Sequence, residues 1–146
     1  MFKYLPLLAC LPFVACSSEK CSLETEVLAR AGKGAIDCGH VAIGGDRNAT
    51  DECVVRALEG GSAFYARYER RGTDSHVALG VARSKSGTLT LLQYDGDPGG
   101  GGGDRRPVID ASICAAPQLL PAIADRPEGT PPFMCGEGRS LGRVCE

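Results

Sequence analysis

The stretch "SAFYARYER" at positions 62–70 decides the fold, because its residues alternate between two sets. Phe64, Ala66 and Tyr68 occupy every second position. Successive side chains of a strand point to opposite faces of the sheet, so this period predicts a half-buried strand. The same alternation recurs in three later stretches, "HVALGVAR" at 76–83, "TLTLLQY" at 88–94 and "VIDASIC" at 108–114. The first three of these four stretches, at 62–70, 76–83 and 88–94, are joined by short connectors that contain glycine. Such connectors are typical of antiparallel hairpins.

Two helical segments precede these strands. "SLETEVLARAG" at 22–32 begins with a capping serine and ends at a glycine. "NATDECVVRALEGG" at 48–61 places its apolar residues on one stripe and ends at a glycine pair. The glycine-rich stretch between the two helices, 33–48, is predicted to be irregular. We therefore expect an α+β domain at 22–114, with two short helices followed by a four-stranded antiparallel meander sheet and the second helix packed on its apolar face.

The C-terminal segment, 115–146, has no sustained hydrophobic period. It contains prolines at 117, 121, 127, 131 and 132. Proline removes a backbone donor and interrupts both helices and central strands. The segment is predicted to be a Pro-rich tail that is held in place by disulfide bonds.

The first fifteen residues have the parts of an export signal. Lys3 supplies one positive charge, and an apolar run follows from Leu5 to Ala15. The run is too short to span a bilayer, which needs about 20 apolar residues. A signal peptide at 1–15 is predicted.

"FVAC" at 13–16 resembles the lipobox of bacterial lipoprotein precursors. The resemblance covers only the first 18 residues. It implies cleavage before Cys16, lipidation of Cys16 with palmitate-type acyl chains, and a lipidated tether at 16–21. Ser17, directly after that cysteine, implies transfer to the outer membrane in double-membraned bacteria. "LLAC" at 7–10 fits the consensus more closely but leaves too short an apolar core before it.

Eight cysteines are present, and removal of Cys10 and lipidation of Cys16 leave an even number for disulfide bonds. The disulfide candidates are Cys21, Cys38, Cys53, Cys114, Cys135 and Cys145. Cys38–Cys53 is the preferred short loop, because the glycine-rich segment between them can fold back. At least one tail cysteine is expected to reach Cys114 or Cys21. The remaining pairings stay open.

Composition limits the function classes. The chain has a net charge of −2, no tryptophan and 5% aromatic residues. A nucleic-acid-binding domain would show a basic patch or a high isoelectric point, so no nucleic-acid partner is expected. A thin core combined with many glycines favours disulfide stabilisation.

No motif assigns catalytic residues, a metal or a cofactor. Asp95, Asp97 and Asp104 flank five glycines, but their spacing fits neither a calcium-binding EF-hand loop nor a phosphate loop, and a hairpin loop is predicted instead. His40 and His76 lack the spacing of zinc ligands. "TDSHV" at 73–77 places neighbouring side chains on opposite strand faces, which argues against a catalytic triad.

One face of the predicted sheet, away from the second helix, combines small residues with tyrosines. Its members are Tyr65, Ala78, Gly80, Ala82, Leu92 and Tyr94. Contact with a protein or small ligand at Tyr65, Leu92 and Tyr94 is one hypothesis. Coverage by the first helix or by the tail is the other, and coverage by the tail is favoured because open apolar faces are uncommon.

The sequence as a whole predicts a lipid-anchored lipoprotein of the cell envelope, attached to the membrane through acyl chains on Cys16. Its domain is expected to be a binding or structural module without catalysis. Two alternatives stay open: an envelope hydrolase that uses His76 and a carboxylate, and a soluble secreted inhibitor-like module.

Overall fold

A computed structural model describes residues 21–102, 106–121 and 125–145. Its centre is a six-stranded mixed sheet with the strand order β1-β2-β3-β4-β5-β8. The strands of this sheet are β1 (Ile36–Val41), β2 (Phe64–Arg71), β3 (His76–Arg83), β4 (Leu89–Asp95), β5 (Val108–Cys114) and β8 (Gly138–Cys145). A separate two-stranded sheet pairs β6 (Pro117–Leu119) with β7 (Phe133–Cys135). The helices are α1 (Leu23–Ala31) and α2 (Asn48–Glu59).

Each helix covers one face of the sheet. The side chains of Phe64, Ala66 and Tyr68 belong to the core on the α2 side, together with Val54 and Ala57. The opposite face forms a second core with α1, whose members include Val27, Ala31, Ala82, Leu92, Ile109 and Ala111. The two-residue period of the strands and the apolar stripe of each helix therefore produce a sheet between two helices.

The predicted four-stranded antiparallel meander is wrong, because the sheet has six strands and one of its pairs is parallel. β2 to β5 do pair antiparallel in sequence order, but the sheet has one further strand at each edge. β1 pairs parallel with β2, and α2 is the crossover between them. β8 pairs antiparallel with β5. The described chain is mostly β and its sheet is mixed.

The two missed strands of the six-stranded sheet lack the alternation that identified the others. β1 lies in the stretch predicted to be irregular, and its pairing with β2 shifts register between Asp37 and His40. β8 lies in the predicted tail, and its first six residues are exposed on both faces. An edge strand without a buried face needs no apolar alternation, so its sequence shows no strand period.

Three disulfide bonds connect the described cysteines. Cys38 pairs with Cys53, which is the short loop that the sequence favoured. The predicted tail is attached to the body twice, because Cys135 pairs with Cys114 and Cys145 pairs with Cys21. No helix in the described ranges is long and apolar enough to cross a membrane.

Candidate functional site

Both histidines of the chain lie beside one carboxylate. His40 Nε2 donates a hydrogen bond to Glu69 Oε1 at 2.8 Å. His76 Nε2 lies 3.6 Å from the same oxygen atom. His40 comes from β1, Glu69 from β2 and His76 from β3, so this cluster is created by the sheet.

Strand register explains the convergence. His40 is aligned with Arg67, two residues before Glu69, and His76 is aligned with Arg71, two residues after it. Residues two apart on a strand share a face, and aligned residues on neighbouring strands do so as well. The two histidines therefore reach Glu69 from diagonally opposite positions.

This histidine cluster lines an open cavity of about 280 Å³ at the start of α1. Arg67 Nη1 lies 3.3 Å from Glu24 Oε2, and the rings of His76 and Tyr94 are 5.6 Å apart. Among the described residues that line the cavity, one is a cysteine and one is a serine. Neither is a ready nucleophile. Cys21 is in a disulfide bond, and the Ser22 hydroxyl accepts the Thr25 amide as the cap of α1. A carboxylate and two imidazoles can exchange protons, but covalent catalysis would need another group.

The described part of the chain contains no group of three or more His, Cys, Asp or Glu side chains that could hold a metal ion. In the predicted glycine loop, Asp95 and Asp97 accept hydrogen bonds from amides of the same loop, those of Asp97 and Gly102. Asp104 lies outside the described residues. The carboxylates of Asp95 and Asp97 therefore support the backbone of this loop.

The predicted contact face of small residues and tyrosines is covered mainly by α1, and the favoured cover, the tail, contributes only Val144 and Cys145 of β8 to the same core cluster. A Cβ atom placed on Gly80 would lie 2.5 Å from Val27 Cγ1 of this helix. Leu92 is fully buried, whereas Tyr65 and Tyr94 are half-buried at its margin. Desolvation raises the pKa of Tyr65, and a hydrogen bond with Asp37 raises it further. Of the three residues proposed for partner contact, the two tyrosines retain accessible surface.

A larger groove lies on the other side of the sheet, between α2 and the tail. Its volume is about 670 Å³. The tail side is lined by Leu119, Leu120, Pro121 and Pro132. The α2 side is lined by Val55 and by five polar or charged residues, Asn48, Asp51, Glu52, Arg56 and Glu59. This cavity is the α2–tail groove. Its size lies within the range of about 300–1,000 Å³ that is usual for small-molecule sites.

A buried polar cluster closes one end of the α2–tail groove. Arg126 Nη2 donates to Asp51 Oδ2, and the Tyr68 hydroxyl donates to Asp51 Oδ1 at 3.1 Å. Arg47 Nε lies 4.0 Å from Asp51 Oδ2. Burial raises the pKa of Tyr68, and the charge and hydrogen bond of Asp51 raise it further. One carboxylate therefore faces two guanidinium groups and a neutral phenol.

Arg126 is the unusual member of this cluster. Its side chain is 8% exposed, and its Nε and Nη1 atoms are buried without a hydrogen-bond partner. Buried polar groups are normally paired, so such an atom calls for an explanation. Sequence reasoning missed this site, because Arg126 stands in a Pro-rich segment and Asp51 fits the first turn of a helix. The two residues are 75 positions apart, and no local pattern connects them.

No protein family, curated protein or solved structure matches this chain. Cys16, the predicted lipid site, lies outside the described residues.

Proposed function

We propose that this protein is an exported lipoprotein, anchored through Cys16, whose domain binds a ligand without catalysis. The arrangement of cysteines supports the anchor. The six cysteines after Cys16 pair with one another, and three disulfides favour an oxidising, extracytoplasmic compartment. This pairing leaves Cys16 as the cysteine available for lipid after cleavage of the signal peptide.

The proposed anchor would hold the domain close to the membrane. Cys21 follows Cys16 by five positions and is bonded to Cys145 at the end of β8. Five extended residues span at most about 18 Å. The domain would therefore be a membrane-proximal module, with the start of α1 nearest to the bilayer.

The observation that favours binding is the α2–tail groove. It is the larger of the two sites, most of its surface is apolar, and its polar side chains belong to α2 and to Arg126. This combination is the usual composition of a small-molecule site.

Metabolic labelling with a radioactive fatty acid tests the anchor. The protein should carry label, and Cys16→Ala should lose it while Cys10→Ala keeps it. Label that persists in Cys16→Ala would refute the assignment. Mass spectrometry of the mature N-terminus separates the lipoprotein from a secreted inhibitor-like module, which would begin with an unmodified residue.

A hydrolase that uses His76 is the second candidate, and the convergence of His40, Glu69 and His76 favours it. In that case Glu69 would orient His76, and His76 would activate water as a general base. Hydrolysis of p-nitrophenyl esters by the purified protein should then fall strongly in both His76→Ala and Glu69→Gln. If the unsubstituted protein hydrolyses these esters no faster than the two variants, this candidate is excluded.

A further inference from the structure

We propose that the α2–tail groove binds an aliphatic carboxylate, with its hydrocarbon chain along the apolar walls and its head group at the Arg126 end. The inference rests on the proposed binding function and names the ligand class. It follows from the shape of the groove, from its apolar walls and from the charges that meet at one end.

The walls account for the hydrocarbon part. The apolar part of the lining consists of Val55 of α2 and of Leu119, Leu120, Pro121 and Pro132 of the tail. Leu119 is 42% exposed, so a large apolar side chain faces open space beside other apolar residues. Burial of each methylene group favours binding, so an aliphatic chain of moderate length gains affinity along such walls.

The charges account for the head group. Arg126 lines the groove, Arg47 lies outside its lining, and both approach Asp51, so these three side chains together carry one excess positive charge. Arg126 also keeps two N–H groups without partners. An anion at this end would balance the second guanidinium, and hydrogen bonds between ionised groups are stronger than neutral ones.

The exposed charges of the groove have a weaker electrostatic influence. Glu52, which directly follows Asp51, lines the groove together with Arg56 and Glu59 from the exposed face of α2. Exposed charges are screened by water and salt, whereas the Asp51–Arg126 pair is largely shielded. A cationic head group would therefore meet the excess positive charge at the buried end, and a neutral one would gain only from the walls.

Tryptophan fluorescence provides the test, because the chain has no tryptophan. The mature chain, residues 16–146 with Cys16→Ser, needs no detergent. Leu119→Trp places a reporter at the groove, and Leu141→Trp places a control on β8, where Leu141 has a similar exposure of 45%. Dodecanoate, dodecanol and dodecyltrimethylammonium are titrated below the concentrations at which they aggregate.

Dodecanoate should shift the emission of Leu119→Trp to shorter wavelength in a saturable way and leave Leu141→Trp unchanged. It should bind at least tenfold more tightly than dodecyltrimethylammonium, and calorimetry on the chain without tryptophan should give the same order. Equal affinity for the two head groups would refute the role of Arg126. A signal that does not saturate, or that occurs equally in both reporters, would refute the groove as a site.

Two variants separate the head group from the walls. Arg126→Gln should weaken dodecanoate binding about tenfold and leave dodecanol binding unchanged. Val55→Glu retains the arginine and should weaken both ligands, because it places a charge in the wall. Near-ultraviolet circular dichroism confirms that each variant is folded. If Cys16 carries lipid but no ligand binds the groove, the anchor stands and this inference fails.

Discussion

Val27 of α1 lies directly over Gly80 of β3. A Cβ atom on Gly80 would lie 2.5 Å from Val27 Cγ1 and 2.8 Å from Leu23 Cδ1. These distances are shorter than Cβ atoms tolerate, so the absence of a side chain at position 80 allows α1 to approach the sheet.

Gly80→Ala should therefore destabilise the protein by about 1–3 kcal/mol, the range for overpacking a well-packed core. Urea unfolding measures the change. Gly138→Ala is the matched control, because its Cβ would meet only Ile113 O at 3.9 Å and should leave the unfolding midpoint nearly unchanged. Equal stability of Gly80→Ala and the parent would contradict the close contact of α1 with β3.

The ion pair of Asp51 with Arg126 connects the tail to α2. Both side chains are largely buried, with 13% and 8% of their surface exposed. Asp51→Asn should lower the free energy of unfolding by about 3 kcal/mol, because it leaves buried Arg126 without its carboxylate. Glu26→Gln, which breaks the pair with Arg30 on α1, should change it by less than about 0.5 kcal/mol. Similar decreases in the free energy of unfolding in both variants would show that burial does not make the Asp51–Arg126 pair more stabilising than the Glu26–Arg30 pair.

The raised pKa of Tyr68 predicts a loss of stability at high pH. Its ordinary value is 10.0, and burial raises the folded-state value. Above pH 10 the unfolded chain releases a proton that the folded protein retains, so this contribution is complete below pH 10 and is lost as the pH rises. Urea midpoints between pH 9 and 11.5 should fall less steeply in Tyr68→Phe than in the parent. The raised pKa of Tyr65 acts in the same direction, so part of the decline should remain.

Tyr68→Phe should also lower stability at neutral pH by about 1 kcal/mol, because Asp51 loses one hydrogen bond. Tyr94→Phe serves as the control on the opposite face of the sheet. An alkaline decline that is identical in the parent and in Tyr68→Phe would contradict the burial of this phenol.

The disulfide bonds should differ in their contributions to stability. Cys21–Cys145 spans 124 positions and Cys38–Cys53 spans 15. In the chain-entropy model, the longer loop contributes roughly 5 kcal/mol and the shorter loop about 3 kcal/mol. Replacement of Cys21 and Cys145 by serine should therefore lower the urea midpoint more than replacement of Cys38 and Cys53. The reverse order would show that native contacts outweigh loop entropy here.

The four central strands and both helices could be predicted because their signals are local. Phe64, Ala66 and Tyr68 face a buried layer, and a buried layer requires apolar residues at every second position. The Cys38–Cys53 pairing was favoured for a similar reason, since the intervening chain is short and rich in glycine.

The edge strands could not be predicted in this way. β8 pairs along one edge and exposes most of its side chains, so backbone hydrogen bonds form it without an apolar pattern. The main cover of the Leu92 face was misjudged, because the small residue at Gly80 identifies close packing but not the element that packs there.

The sequence by itself determined which central segments alternate, where α1 begins and where both helices end, and how many cysteines are available to pair. These properties depend on residues a few positions apart. Only the tertiary structure decided that His40 and His76 meet at Glu69, and that Arg126 reaches Asp51 beside an apolar groove. Such contacts join residues far apart in the chain, and strand order and register bring them together after the local elements have formed.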